Sequence, residues 1–379
     1  MIKRQLADII QLSKKSVLLL GPRQTGKSTL IRSLAHDLEI DLADQQVYLD
    51  FLKDPGLLKK QVGSYSRVFI DEVQRIPSLL NTVQSLLDHN KALKFYLTGS
   101  SARKLKRGEA NLLPGRVLTY HLGPLSVAEL GESIDLSRLL SLGSLPGIYL
   151  EKDLPTAKKT LRSYAATYLR EEIQAEALTR NLEGFSRYFD LLAARSGDSI
   201  DFNKFASLAQ IERVTAKRYF DIVVDTMVAQ PVEAFAKSIK RRLIQHPKYY
   251  FFDVGVLNGC LGNFEVSADR KGLLFEHLCL QMIIAELKAQ DLDYRVSTYR
   301  TEAGAEVDFI VECQNKVFAI EVKATRTIGN HDLRGLKSFS EFFGKKHQSL
   351  VFYLGDHELE IDKTRIIPFF KGIQVITQV

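Results

Sequence analysis

The stretch from Ser16 to Leu34, SVLLLGPRQTGKSTLIRSL, decides the fold of the N-terminal part of the chain. It begins with an apolar run, turns at Gly21 and Gly26, and continues with apolar residues at helical spacing. Residues 21–28 read GPRQTGKS and match the pattern GxxxxGK[ST] in full. Glycines let the backbone wrap closely around phosphate groups, and the helix N-terminus that follows supplies partial positive charge. The stretch therefore predicts a phosphate-binding loop between a buried strand and a helix.

The side chains of this loop predict how a nucleotide is held. Lys27 can reach the β and γ phosphates, and the hydroxyl group of Ser28 can bind Mg²⁺. We therefore expect ATP and Mg²⁺ as cofactors. The residues expected to line the nucleotide are Gly21, Pro22, Arg23, Gln24, Thr25, Gly26, Lys27, Ser28 and Thr29.

A second motif, RVFIDEV at residues 67–73, supplies two carboxylates after a short apolar run. A buried strand of a parallel sheet delivers such residues to its carboxyl-terminal edge, where the phosphate loop also lies. Asp71 is expected to hold the Mg²⁺ ion, through water, and Glu72 to polarise the attacking water as the catalytic base. An isolated run of this kind is common, and its position after a complete phosphate loop gives it weight.

Hydroxyl groups and two arginines follow the next strand-like run, KFYLTGSS at residues 94–101. Thr98 and Ser100 are candidates to sense the γ-phosphate, and a strand capped by a serine-rich turn is the alternative. Arg103 and Arg116 could stabilise transition-state charge, in their own chain or from a neighbouring subunit. The alternative for each is a solvated arginine far from the phosphates. We include Ser100, Arg103 and Arg116 among the expected nucleotide-binding residues.

Alternating strands and helices around the phosphate loop predict an α/β fold with a parallel sheet covered on both faces. Residues 1–124 are expected to form this core, with Val47–Phe51 as its second strand. Glycine and proline recur after residue 125, which predicts a helical lid or linker over residues 125–180.

Residues 181–246 are expected to form a helix, a short helix, a turn, a third helix and a β-ribbon at residues 227–235, an order that resembles a winged helix-turn-helix. Between residues 213 and 248 there are eight Lys or Arg residues and three acidic ones. This excess suits phosphate contacts and predicts DNA as a partner. The alternative is a protein–protein or interdomain adaptor with a solvated basic face.

The last part, residues 247–379, carries a second set of charged residues in apolar surroundings. Two strand-like runs read as a hairpin, with Asp308 on the first and Glu321 on the second. Glu321 and Lys323 are two residues apart, so both side chains leave the same face of the strand.

Two carboxylates can hold Mg²⁺ or Mn²⁺, which lowers the pKa of bound water and neutralises charge on a phosphodiester. We therefore expect Asp308 and Glu321 as metal ligands and Lys323 as the residue that positions water or stabilises developing charge. Glu276, on the preceding apolar helix, could complete this catalytic set. The alternatives are surface charges at a sheet edge, or a site that has the residues and is no longer active.

With these motifs in order, the chain resembles a family of prokaryotic ATPases. In that family an AAA+-type P-loop domain is joined through a winged helix to a C-terminal domain of the PD-(D/E)XK nuclease superfamily. The resemblance implies ATP binding and hydrolysis, and it implies no particular substrate. Gln24 departs from the basic residue expected there, whereas Lys27 and Ser28 are present. The resemblance is carried by GPRQTGKS at 21–28, FIDE at 69–72, LTGSS at 97–101, PGR at 114–116, Phe275-Glu276, EVDF at 306–309 and IEVK at 320–323.

Composition bounds the remaining expectations. The chain of 379 residues has 52 Lys or Arg against 45 Asp or Glu, a net charge of +7 that favours a polyanionic partner without establishing one. Its three cysteines include no CxxC pair, so a reducing cytoplasmic location is expected. No run approaches the roughly 18 apolar residues of a membrane span. A homo-oligomer is possible, since an arginine from a neighbouring subunit would require one.

We therefore expect an Mg²⁺-dependent ATPase that couples ATP to DNA binding and to metal-dependent phosphodiester cleavage. One alternative is a nucleotide-controlled switch that binds DNA or another partner and has an inactive nuclease-like domain. Another is an ATPase motor that acts on protein, which the basic middle region disfavours. The salt dependence of DNA binding separates these alternatives, because phosphate contacts weaken steeply with salt.

Overall fold

The computed structural model describes residues 2–100, 113–131, 134–169, 181–235 and 246–377. The chain divides into two compact units. The first unit contains residues 1–124 and the short segments 225–227 and 288–291. The second contains residues 125–224, 228–287 and 292–379. The phosphate loop belongs to the first unit, and the carboxylate pair belongs to the second.

The first unit is built on a five-stranded parallel sheet, which confirms the predicted α/β fold. Its strand order is β2-β3-β4-β1-β5. All five residues of β1 are buried, and they alternate between two apolar clusters, one on each face of the sheet. The elements are α1 Leu6–Leu12, β1 Ser16–Leu20, α2 Lys27–Arg32, β2 Leu38–Asp41, α3 Gln45–Lys53, α4 Leu57–Val62, β3 Arg67–Asp71, α5 Leu79–His89, β4 Lys94–Gly99 and β5 Val117–His121.

The prediction that Val47–Phe51 forms the second strand is wrong, because these residues lie within helix α3. The side chain of Asp44 caps this helix by accepting hydrogen bonds from the backbone N–H groups of Gln46 and Val47. Short apolar runs fit a strand and a helix equally well, and here the cap decides. The second strand along the chain is Leu38–Asp41, which pairs in parallel with β3.

Helices make up the first part of the second unit. The three helices α10 to α12 enclose an aromatic core in which the Tyr219 ring meets Phe185 and Tyr188. The helices are α6 Val127–Leu130, α7 Leu136–Leu142, α8 Pro146–Leu150, α9 Leu154–Ser163, α10 Leu182–Ala194, α11 Phe202–Ala209 and α12 Arg213–Asp225.

An antiparallel strand pair follows these helices, but it differs from the predicted ribbon at residues 227–235. Those residues supply one strand, β6 Ala229–Ala234, and its antiparallel partner is β7 Lys248–Phe251. The last residues of β6, Glu233 and Ala234, pair in parallel with β8 instead. A nine-residue segment is too short for two strands and a turn, so the partner comes from beyond the predicted boundary at 246. The winged-helix assignment and the domain boundaries stay predictions.

The remaining strands extend this pair into an eight-stranded sheet of order β12-β13-β11-β10-β9-β8-β6-β7. Strands β9 and β10 form the predicted hairpin, which is confirmed by their antiparallel pairing. Its two turn residues, Gln314 and Asn315, both have positive φ angles, as tight hairpin turns require. The elements are α13 Val254–Leu261, α14 Ala268–Ala289, β8 Tyr294–Arg300, β9 Glu306–Cys313, β10 Lys316–Lys323, α15 Arg334–Phe343, β11 Gln348–Tyr353, β12 Leu359–Ile361, β13 Thr364–Pro368 and α16 Phe369–Thr377.

Hydropathy of the helices gives one further result. Within the described ranges, none of the helices combines the length and the apolar character that crossing a membrane would need.

Candidate functional site

The phosphate loop connects the end of β1 to the start of α2. Gly26 adopts the left-handed conformation with a φ of 89°, and Gln24 has a φ of 62°. A Cβ atom at Gly21 would lie 2.2 Å from the carbonyl oxygen of Leu122, so only glycine lets the loop pass this close to the backbone after β5. The sequence pattern therefore produces the tight loop that it predicted.

Hydrogen bonds hold the loop in place. Thr25 donates through its hydroxyl group to the carbonyl oxygen of Pro22 at 2.8 Å. The guanidinium group of Arg4 donates to the carbonyl oxygens of Thr25 at 2.6 Å and Gly123 at 2.9 Å. Arg4 precedes helix α1 and is buried, and sequence reasoning missed it because no pattern links it to the loop. Through these bonds it ties the loop to the backbone that follows β5.

Lys27 is buried and turned onto its own loop. Its ammonium group donates to the carbonyl oxygens of Gly21 at 2.9 Å and Pro22 at 3.0 Å. A phosphate group offers stronger acceptors for the same ammonium group. The side chain is therefore positioned at the loop as predicted. The other predicted loop residues surround it, with Arg23, Gln24 and Thr29 exposed and Pro22 and Thr25 buried.

Ser28 and Asp71 meet at the carboxyl-terminal edge of the sheet. The hydroxyl group of Ser28 donates to Oδ1 of Asp71 at 2.9 Å, and Thr98 donates to the same oxygen. Burial raises the pKa of Asp71, and the hydrogen bonds from Thr98 and Ser28 oppose that rise. The guanidinium group of Arg32, which sequence reasoning did not consider, lies 3.6 Å from Oδ2 of Asp71. Oxygen donors converging at one point are what Mg²⁺ prefers, so this pair fits the ion.

Glu72 lies next to this pair and is held by Thr98 of β4 and by the side chains of Gln74 and Ser100. Its backbone N–H donates to the hydroxyl group of Thr98 at 3.1 Å. Its Oε2 atom accepts hydrogen bonds from the side chains of Gln74 and Ser100. The structure thus places Thr98 and Ser100 against the acidic pair. Sequence reasoning missed Gln74, which follows Glu72 by two residues.

The two predicted arginines have different outcomes. Arg103 lies outside the described residues. Arg116 forms a two-pronged ion pair with Asp88 of helix α5, at 2.7 Å and 3.0 Å. Because β5 runs parallel to β1 with Val117 beside Ser16, Arg116 lies at the opposite edge of the sheet from the phosphate loop. The structure therefore does not bring Arg116 to the loop of its own chain.

The second unit brings the predicted carboxylates of its hairpin together. Ile320 pairs with Phe309, so continuing the register sets Glu321 opposite Asp308. Asp308 accepts a hydrogen bond from the backbone N–H of Val322 at 2.8 Å. The ammonium group of Lys323 lies 2.7 Å from Oε1 of Glu321. The predicted common face of Glu321 and Lys323 is confirmed by this contact.

Glu276 reaches the same group from helix α14, accompanied by residues that sequence reasoning missed. Its Oε1 atom accepts hydrogen bonds from the hydroxyl group of Tyr250 at 2.5 Å and from the ammonium group of Lys248 at 3.3 Å. Lys248 also lies 2.8 Å from Oε1 of Glu306. The spacing of Glu306, two residues before Asp308 on the same strand, was a signal that could have found it. No comparable pattern links Lys248 and Tyr250 of β7 to this group.

Burial and mutual repulsion shape the charges of this carboxylate cluster, which comprises Glu276, Glu306, Asp308 and Glu321. Burial, Glu321 and Glu276 together raise the pKa of Asp308 well above its usual range. Burial raises the pKa of Glu321 to about 6, although Lys323 opposes the rise. Among the residues that the structure describes, Oε2 of Glu321 is buried without a hydrogen-bond partner. An unpartnered oxygen on a side chain that is only 8% exposed is costly unless a ligand meets it.

Two lysines sit among the four carboxyl groups. Burial lowers the pKa of Lys248, but the charges of Glu276 and Glu306 outweigh it and the net shift is upward. Over the part of the chain that the structure describes, no three or more His, Cys, Asp or Glu side chains are grouped to hold a metal ion. Asp308 and Glu321 supply oxygen donors suited to Mg²⁺ or Mn²⁺, whereas Glu276 and Glu306 are engaged with Lys248.

Comparison with protein families divides the chain into three segments. Residues 13–131 match the model described as an AAA domain. Residues 133–267 and residues 271–371 match two models that are each described as a domain of unknown function, DUF8612 and DUF4143. The N-terminal part is therefore similar to AAA domains, which agrees with its parallel sheet and its phosphate loop.

Comparison with individual proteins gives two relatives that are uncharacterized, one from Mycobacterium bovis and one from Mycobacterium tuberculosis. Each is 29% identical over 319 residues, which cover 82% of this chain and 70% of the relative. Among solved structures, the replication initiator DnaA bound to AMPPCP and single-stranded DNA has a TM-score of 0.27 at 13% identity, covering 58% of this chain and 85% of that one. A DNA polymerase III gamma subunit-related protein from Thermotoga maritima has a TM-score of 0.23 at 14% identity, covering 59% and 98%.

Proposed function

We propose that this chain is an Mg²⁺-dependent ATPase that couples ATP binding and hydrolysis to DNA binding and to metal-dependent cleavage of phosphodiester bonds. The observation that carries the ATPase part is the meeting of the loop hydroxyl of Ser28 with Asp71 at 2.9 Å, with Glu72 beside them. Loop, acid pair and hydroxyls come from three neighbouring strands of one sheet. The AAA match over residues 13–131 supports the same conclusion.

Each residue of the first site has a distinct task in this proposal. The loop amides and Lys27 bind phosphate oxygens, and Lys27 exchanges the carbonyl groups of Gly21 and Pro22 for them. Ser28 and Asp71 hold Mg²⁺, whose charge stabilises the transferring phosphoryl group. Glu72 accepts a proton from the attacking water and orients it toward the γ-phosphorus.

The second site supports the cleavage part of the proposal. Asp308 and Glu321 lie opposite each other and supply oxygen ligands, and the unpartnered Oε2 atom of Glu321 is the acceptor that a cation would satisfy. A bound Mg²⁺ or Mn²⁺ would lower the pKa of a bound water and neutralise charge on the phosphodiester. Lys323, at 2.7 Å from Glu321, positions that water or stabilises the developing charge.

DNA binding is proposed from the charge of helix α12. Arg213, Lys217 and Arg218 are exposed on this helix, and the first two are one turn apart. Lysine and arginine side chains on one helix face can contact successive phosphates of a nucleic acid backbone. Lys248, the last basic residue of the stretch, is buried against Glu276 and Glu306 and is not available for phosphate contacts. The other four basic residues, Lys237, Lys240, Arg241 and Arg242, lie outside the described residues.

A metal-dependent cleavage assay tests this function. Plasmid, linear and branched DNA would be incubated with the full chain and Mg²⁺ or Mn²⁺, with and without ATP. Asp308→Ala is the test variant, and Asp356→Ala, an exposed aspartate of the same unit, is the matched control. Cleavage by the wild type and the control, lost in Asp308→Ala while ATPase activity remains, supports the proposal. Loss of cleavage and ATPase activity together in a folded Asp308→Ala protein would contradict separate sites.

A nucleotide-controlled switch with an inactive second site is the competing function, and one observation favours it. Lys248 occupies the space between Glu276 and Glu306, and two of the four carboxyl groups are thereby engaged without a metal. In that case the C-terminal part binds a partner or supports the fold. The same assay decides, because no cleavage under any condition with ATP still hydrolysed would select the switch.

A further inference from the structure

We propose that Gln74 is a positioning residue for the catalytic base, and that it works together with Ser100 by anchoring one carboxylate oxygen of Glu72. The proposal rests on the ATPase function proposed above and adds a residue to it. It also gives Ser100 a task different from direct contact with the γ-phosphate. Gln74 contacts neither the phosphate loop nor the residues that hold the metal in any hydrogen bond recorded for the described part of the chain.

The anchoring contacts converge on a single atom. The side-chain amide of Gln74 donates to Oε2 of Glu72 and, at 3.0 Å, to the hydroxyl oxygen of Ser100. The hydroxyl group of Ser100 in turn donates to the same Oε2 atom at 3.3 Å. The amide nitrogen of Gln74, the hydroxyl oxygen of Ser100 and Oε2 of Glu72 thus form a closed triangle of hydrogen bonds. Hydrogen bonds to a charged acceptor are stronger than neutral ones, so this triangle defines the direction of the carboxylate.

The other oxygen of the carboxylate is left available. Oε1 of Glu72 has no hydrogen-bond partner among the residues that the structure describes, and the side chain is partly exposed. A base that must accept a proton from water needs one fixed oxygen and one accessible oxygen. In Glu72, Oε2 is the fixed oxygen and Oε1 is the accessible one.

The surroundings of Gln74 permit only one orientation of its amide. Gln74 is 3% exposed, and its Oε1 atom is buried without a hydrogen-bond partner in the part of the chain that the structure describes. Reversing the amide would place this oxygen against the carboxylate oxygen of Glu72, which is repulsive, so the N–H group must face Glu72. A Cβ atom at Gly99 would lie 2.9 Å from Oε1 of Gln74, so the glycine provides the space in which the amide sits. The pocket is therefore shaped for this side chain and this orientation.

The backbone of Glu72 explains why an anchor is required. Its φ angle of 54° is uncommon for a residue other than glycine, and its backbone N–H donates a hydrogen bond to the hydroxyl group of Thr98. Glu72 directly follows strand β3, so its side chain does not share the alternating direction of the strand residues. Without Gln74, the carboxylate would lose its strongest directional contact, and a small displacement of a catalytic group can lower a rate about 100-fold.

The test compares ATP hydrolysis and ATP binding in four proteins. Gln74→Leu removes the amide and keeps much of the volume, and Gln74→Glu keeps the shape but replaces the donor by an acceptor. Gln46→Leu, at an exposed glutamine of helix α3, is the matched control. We expect kcat to fall about 10- to 100-fold in Gln74→Leu and further in Gln74→Glu, with the Kd for ATP changed less than about threefold. Gln46→Leu is expected to match the wild type.

A double-mutant cycle measures whether the effects of two substitutions on kcat are independent, which destabilisation of the fold would not change. Ser100→Ala removes the second donor to the same oxygen, so the effects of Ser100→Ala and Gln74→Leu on kcat should not multiply. Thermal unfolding of each variant shows whether the protein is folded. If Gln74→Leu does not fold, Ser100→Ala still tests whether a hydrogen bond to Oε2 of Glu72 contributes to kcat.

The outcomes separate this inference from the function on which it rests. A wild type that binds no ATP and hydrolyses none contradicts the ATPase proposal, and the inference falls with it. A wild type that hydrolyses ATP, with Gln74→Leu and Gln74→Glu at unchanged kcat, overturns only the inference. An increase of kcat in folded Gln74→Leu would also overturn it, because Gln74 would then restrain Glu72 rather than position it.

Discussion

Replacing Lys248 by methionine should destabilise the second unit more than the loss of an exposed ion pair would. The side chain of Lys248 is 11% exposed and lies 2.8 Å from Glu306 and 3.3 Å from Glu276, whose side chains are 31% and 26% exposed. Methionine keeps the apolar stem and removes the charge. Glu276 and Glu306 would then remain partly buried without this ammonium group, although Glu306 would keep Arg300, whose guanidinium group lies 3.6 Å away.

The expected magnitude follows from this burial. Removing one partner of a fully buried ion pair costs about 3–5 kcal/mol, because the other charge stays buried. Glu276 and Glu306 keep some contact with water, so we expect the free energy of unfolding to fall by about 2–3 kcal/mol. The neighbouring carboxylates raise the pKa of Lys248 despite burial, so its contribution is fully present below the unfolded pKa of about 10.4 and is lost only above it. Neutral pH therefore measures the whole effect.

Urea unfolding of the full chain, followed by far-ultraviolet circular dichroism, measures this loss. The matched control is Lys337→Met, which removes an ion pair of similar length, 2.7 Å to Asp362, whose side chains are 51% and 57% exposed. Exposed pairs contribute little, so the control should lose less than about 0.5 kcal/mol. Equal losses in Lys248→Met and Lys337→Met would refute the reasoning.

Metal addition extends the same experiment. If a divalent cation belongs with the carboxylate cluster, Mn²⁺ should stabilise Lys248→Met more than it stabilises the wild type, because it replaces the charge that was removed. Equal stabilisation of the two proteins by Mn²⁺ would show that the lysine and the cation do not share these carboxylates.

Three further predictions concern the loop, a strand start and the basic helix. Gly21→Ala should lower the free energy of unfolding by about 2–3 kcal/mol and abolish ATP binding, because its Cβ would clash with the carbonyl oxygen of Leu122. Gly147→Ala is the control, since the space around Gly147 is open, and it should change the free energy of unfolding by less than about 1 kcal/mol in urea unfolding. Hydrogen bonds, of which the one from the Ser66 hydroxyl group has the largest effect, lower the pKa of Asp37 to about 2. The difference in stability between the wild type and Asp37→Asn should therefore have its full size above about pH 4 and disappear as the pH falls through about 2. Lys217→Gln should weaken DNA binding equally for all sequences and reduce the salt slope by about one, as salt titration would show. An unchanged slope would remove Lys217 from the phosphate contacts.

The first site was predictable because its determinants are local. The spacing within GPRQTGKS fixes the loop, and parallel strands that end at one edge bring Asp71 to Ser28 across 43 positions. The hairpin pair of Asp308 and Glu321 was predictable for a similar reason, since two short runs and a tight turn fix the register.

What the sequence could not reveal depends on contacts between distant or irregular segments. Arg116 is close to the ATPase motifs along the chain, but strand direction places it at the far edge of the sheet with Asp88. Lys248 joins the carboxylate cluster only because β7 pairs with β6, and no local pattern announces that pairing. Gln74 turns its amide back to Glu72 within the 3₁₀ helix Val73–Arg75, a three-residue element that is too short to show a periodic pattern in the sequence.

The most direct measurement of the central claim is Mg²⁺-dependent binding and hydrolysis of ATP by the wild type, Lys27→Ala and Glu72→Gln. The account predicts that the wild type hydrolyses ATP, that Lys27→Ala binds none, and that Glu72→Gln binds ATP and retains it unhydrolysed. Normal turnover in Glu72→Gln would contradict the role assigned to the base, and with it the positioning role of Gln74.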